Sequence, residues 1–93
     1  MNQLTVEKIQ AFEESLYLNE KSKATVNKYL RAVRKLAEYL SGEGLTKSRL
    51  LEYRKILQSQ VKAQTVNGAL SSINAFLEFC GWQDCKINLL KVQ

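Results

Sequence analysis

No proline occurs anywhere in the 93 residues, and apolar side chains return at intervals of three and four along almost the whole chain. Proline removes a backbone donor and clashes with the preceding turn, so without it every segment is free to continue as helix. The three-four spacing marks helices with one buried face, whereas a half-buried strand would show strict alternation. The sequence therefore predicts an all-α fold.

Four segments carry the pattern. The first opens at Leu4 and Thr5, with Thr5 as candidate N-cap and Ile9, Phe12 and Leu16 as its stripe, and runs to about Leu18. Residues 19–23 read as a polar loop. Thr25 is the candidate cap of a second helix, on which Val26, Tyr29, Leu30, Val33, Leu36, Ala37 and Leu40 fall on one side. Gly42 and Gly44 end it, since glycine accepts the left-handed conformation common just past a helix. Thr46 or Ser48 starts a third helix that reaches about Ser59, with Leu50, Tyr53, Ile56 and Leu57 inward. Thr65 is the candidate cap of a fourth, bearing Val66, Ala69, Leu70, Ile73, Phe76, Leu77 and Cys80, with Gly81 as its stop and residues 61–64 as an alternative earlier start. Beyond it, a tail from Trp82 holds Ile87, Leu89, Leu90 and Val92, which either pack locally or dock onto a neighbouring domain. A chain of this length, 45% apolar and with eight aromatic side chains, suffices for one compact domain, residues 1–93, built as a bundle of about four helices.

Several chemistries are excluded by what the chain lacks. There is no histidine, the commonest general base and a common metal ligand, and the two cysteines, Cys80 and Cys85, cannot make a zinc quartet. Neither a metal nor another cofactor is expected. The N-terminus has no basic segment followed by an apolar one, and a disulfide is not expected, which fits a cytoplasmic chain with reduced thiols. The longest uncharged stretch, residues 63–77, is polar and falls short of the roughly 20 apolar residues of a membrane span.

Charge is concentrated in the middle. The net charge is +5, yet residues 21–55 alone hold ten basic residues against Glu38, Glu43 and Glu52. Such a segment suits a phosphate-binding surface, because each neutralised phosphate releases condensed counterions; a solvated helix face is the alternative. On the second helix, Lys28, Arg31 and Lys35 form a basic ridge opposite the apolar stripe, flanked by Asn27, Arg34 and Glu38 on one side and by Ala32 and Tyr39 on the other. Lys21 and Lys23 lie just before its start, where backbone N–H groups also favour an anion. The fourth helix presents Asn67, Gly68, Ser71, Ser72, Asn74 and Ala75, small and uncharged residues expected to face outward. Glycine in a helix costs stability, so Gly68 points to a backbone or phosphate packed closely there; another helix or domain covering this face is the alternative.

The strings KSKATVNKYLRAVRKLAEYL (residues 21–40) and AQTVNGALSSINAFLEFCGW (residues 63–82) resemble the N-terminal core-binding, or SAM-like, domain of tyrosine recombinases, the phage integrase family. Thr25, Tyr29, Val33, Thr65, Leu70, Ile73 and Phe76 fit the family pattern. The resemblance implies a helical bundle that forms one half of a C-shaped clamp on duplex DNA, opposite a catalytic domain, with the second and fourth helices toward the DNA. Carried over by position, Lys21, Lys23, Thr25, Lys28, Arg31 and Lys35 would serve the second helix, and Thr65, Asn67, Gly68 and Ser71 the fourth. Two departures stand out: Asn88 is followed by Leu89 where the family often has Asn-Pro, and the family's catalytic Arg, Lys, His and Tyr set belongs to a separate C-terminal domain.

The leading expectation is therefore a DNA-binding module of a site-specific recombinase, itself not an enzyme and a fragment of a longer protein. Its partners would be double-stranded DNA and the parent's C-terminal catalytic domain, with no membrane and with oligomers only on DNA. The alternative is a small helical protein-protein interaction module that uses the small face of the fourth helix.

Overall fold

The computed structural model describes residues 2–91; Met1, Val92 and Gln93, and with them the expectation for Val92, lie outside the described residues. Four helices follow one another: α1 (Val6–Leu18), α2 (Lys23–Leu40), α3 (Lys47–Gln60) and α4 (Ala63–Phe79). A 3-10 turn at Gln83–Cys85 and a tail without regular secondary structure, residues 86–91, complete the described residues. Among the described residues the only β-type pairing is an isolated antiparallel bridge between Asn2 and Leu45.

Local chemistry explains where each helix begins. Thr5 Oγ1 accepts the Lys8 N–H at 3.2 Å, which caps α1 as its sequence predicts. Thr46, not Ser48, caps α3 by accepting from Arg49 N at 3.1 Å. Two expectations need correction. Ser22 rather than Thr25 caps α2, because its hydroxyl oxygen takes the Thr25 N–H at 3.2 Å and so lets Lys23 and Ala24 join the first turn. Thr65 likewise lies inside α4, which starts at Ala63 behind Lys62 and has no side-chain cap.

The helix ends are equally explicit. Past α4, Gly81 has φ +77°, Gly81 N–H donates to Glu78 O and Trp82 N–H to Leu77 O; this double closure satisfies carbonyls that the helix leaves open. The same pair of bonds ends α1, from Glu20 to Tyr17 and from Lys21 to Leu16, with Glu20 in the left-handed conformation that glycine would occupy at no steric cost. After α2 the reversal starts one residue before Gly42, at Ser41.

The core is centred on α2 and α4, the most extensively packed pair, with α1 laid on α2 and α3 on α4. Val26, Val33 and Leu36 of α2 and Val66, Leu70, Ile73, Phe76 and Leu77 of α4 are fully excluded from solvent. Phe12 of α1 meets the Phe76 ring edge-on at 5.2 Å and stacks on Tyr29 at 6.3 Å; Tyr29 is half-buried, packed at the margin of the core it was expected to share. The tail packs locally: Cys85 and Ile87 are buried, and Leu90 is half-buried against the same cluster. Both cysteines are free thiols.

Candidate nucleic-acid interface

Because α2 and α4 pack side by side, their outward margins meet. Lys28, Arg31, Ala32 and Lys35 of α2 and Gln64, Thr65, Gly68, Ala69 and Ser72 of α4 line one open groove of about 400 Å³. The spacing explains the composition: on each helix the lining residues recur at three and four, one strip beside the buried stripe. Ala32, Gly68, Ala69 and Ser72 are short and keep the groove open, whereas the α2 cations are long and reach over it.

The cations are free to act on a ligand. Among the described residues the ion pairs are Arg49 with Glu43 and Lys86 with Glu78, so none of Lys21, Lys23, Lys28, Arg31, Arg34 or Lys35 is tied to a carboxylate. All six are exposed. Like charges one helical turn apart repel, and a polyanion laid along the row relieves that repulsion. Arg31 and Lys35 also line a second depression, of about 380 Å³, with Asn27, Arg34 and Glu38, and thus stand on a crest between two hollows.

Gly68 forms part of the groove floor. A Cβ built there meets no atom within 4 Å, so the close approach that its glycine suggested is not made by any described part of this chain. Ser72 corrects the expected outward face: it is 1% exposed, and burial is tolerated because its hydroxyl donates to Gly68 O at 3.2 Å. Asn67 and Asn74 are half-buried and engaged with the tail rather than turned to solvent: Asn67 donates to Leu90 O at 2.9 Å and Asn74 to Ile87 O at 2.9 Å. Part of the small face is therefore covered by the chain itself.

Of the ten residues proposed from sequence, the groove brings together Lys28, Arg31, Lys35, Thr65 and Gly68. Ser71 is exposed but does not line it, and Asn67 faces the tail. Lys21, Lys23 and Thr25 sit at the N-terminal end of α2 instead, where the Thr25 hydroxyl accepts from Ser22 Oγ at 3.0 Å. Gln64 escaped the sequence reading because a cap at Thr65 leaves it before the helix, whereas the observed cap is Lys62, three residues earlier.

Residues 9–84, well over half of the chain, match the family described as phage integrase, N-terminal SAM-like domain. The chain belongs to this family. This integrase-type domain is an all-helical, recombinase-associated module, and the matched unit is the N-terminal domain rather than a catalytic one. Searches of curated proteins and of solved structures return no significant match. No helix among the described residues of the SAM-like domain is long and apolar enough to cross a membrane.

Proposed function

We propose that this domain grips duplex DNA through the groove between α2 and α4 while a separate domain of a parent tyrosine recombinase cleaves and rejoins the strands. The observation that carries the reading is the meeting of three unpaired cations, Lys28, Arg31 and Lys35, with the short side chains of Thr65 and Gly68. Long cations neutralise phosphates and can reach guanine edges, and a floor without bulky side chains admits a sugar-phosphate backbone. Lys21 and Lys23 extend the positive track toward the N-terminus of α2, where the helix dipole adds to it. In this reading Asn67 holds the tail and Ser71 lies at the margin of the interface.

The domain supplies grip and orientation, not chemistry. Binding rests on phosphate contacts, so it falls steeply with salt and depends little on sequence. The reading as a protein-interaction module loses the part of the small face that the tail occupies. Titration of a fluorescent 20-base-pair duplex at several salt concentrations tests the proposal. A binding constant that falls with salt supports it; absence of binding at about 50 mM salt, where phosphate contacts are strong, overturns it.

A further inference from the structure

Two asparagines on one face of α4, two turns apart, read the backbone of the tail. Asn67 donates to Leu90 O at 2.9 Å and accepts from Leu90 N at 2.7 Å, and Asn74 does the same for Ile87 at 2.9 and 3.3 Å. Each carboxamide thus satisfies both polar groups of one residue, as a neighbouring strand would. The spacing matches: seven residues of helix rise about 10.5 Å, and three residues of extended chain span about 10 Å. Between the two rungs Arg54 of α3 donates to Asn88 O at 2.8 Å.

The segment of α4 that the Leu90 rung braces is locally weak. Lys62 gives it no side-chain cap, Gly68 sits in its second turn, and the Ser72 hydroxyl bonds back to the Gly68 carbonyl, a contact that tends to bend helices. Val66 and Leu70 hold this segment on its core side, and the Asn67 rung holds it from the tail side. The same segment, Gln64 to Ser72, supplies the α4 lining of the groove.

We propose that Asn67 and Asn74 form an intramolecular binding site for the chain's own residues 86–90, and that occupancy of this site and of the groove reinforce each other. The coupling rests on the DNA-binding reading above; the asparagine site does not. By linkage, whatever a docked tail adds to groove affinity, a filled groove adds to tail docking.

Amide hydrogen exchange of the full chain separates the two claims. In the free protein, Asn67→Ala with Asn74→Ala is expected to speed exchange at Ile87, Leu90 and residues 67–70 by about tenfold, the scale of one lost hydrogen bond, with Leu30 and Leu36 unchanged. Unchanged exchange at Ile87 and Leu90 overturns the site. If the double variant loosens α2 as well, Asn67→Ala alone decides, read at Leu90. With a 20-base-pair duplex bound, the Leu90 amide of the parent should slow further and the double variant should bind the duplex about tenfold more weakly; equal affinity overturns the coupling. If the parent binds no duplex, the functional reading and the coupling fall together, and the free-protein exchange still decides the asparagine site.

Discussion

Arg31 of α2 and Gly68 of α4 line the same groove from opposite helices, a long unpaired cation beside the one helical position without a side chain. Charge and close access therefore coincide at one place on the surface, and each can be altered without touching the core.

Under the proposed DNA-binding reading, reversing charge at Lys28→Glu and Arg31→Glu removes two phosphate contacts. Duplex affinity should fall for all sequences, and the slope of log K against log salt should lessen by about two. Both side chains are exposed, so the unfolding free energy should stay within about 0.5 kcal/mol of the parent. Salt titrations with parallel urea melts check both halves.

Gly68→Ala should move stability and binding in opposite directions. The added methyl meets nothing within 4 Å in the free domain, so the helix gains about 0.5–1 kcal/mol from the better former. The same methyl projects into the groove floor and should weaken duplex binding. A variant that is more stable and binds as tightly as the parent would show that no backbone approaches Gly68.

Thr65→Glu and Ser71→Glu separate the groove from its margin. Thr65 lines the groove and Ser71 does not, although both are exposed on α4. A carboxylate at 65 should therefore cost more affinity than one at 71, and the loss at 71 should approach that of Gln83→Glu on the distant 3-10 turn. Anisotropy titrations at one salt concentration rank the three.

Burial pushes the Tyr53 phenol above its ordinary value, and the nearby Glu38 charge adds to the effect. The unfolded chain then loses this proton first. The group's contribution to stability is intact below about pH 10 and is lost as pH rises from there through the folded value. Urea midpoints at about pH 8 and about pH 11 should differ less for Tyr53→Phe than for the parent.

Glu20 occupies the left-handed position that closes α1. Glu20→Gly should raise stability by about 1 kcal/mol, since the conformation costs a side-chain-bearing residue about that much. A lower thermal midpoint would show that the Glu20 side chain makes a contribution larger than the strain.

The apolar periodicity and the absence of proline were enough to establish four helices, the stripe from Val26 to Leu40, the cap at Thr5 and the stop at Gly81, because these depend on neighbours within one or two turns. The basic ridge was legible for the same reason: Lys28, Arg31 and Lys35 share a face by spacing alone. The start of α2 was misplaced because Ser22 and Thr25 both have cap chemistry, and only the folded backbone shows whose hydroxyl oxygen receives the N–H. Side-chain pattern could not say that Ser72 is buried, that Asn67 and Asn74 hold the tail, or that Thr65 and Gly68 stand beside Lys28 and Arg31. Those pairings join residues 13 to 40 positions apart, and they exist only once α2 packs on α4 and the tail lies along α4, since helical periodicity fixes which face a residue occupies but not what is brought against that face.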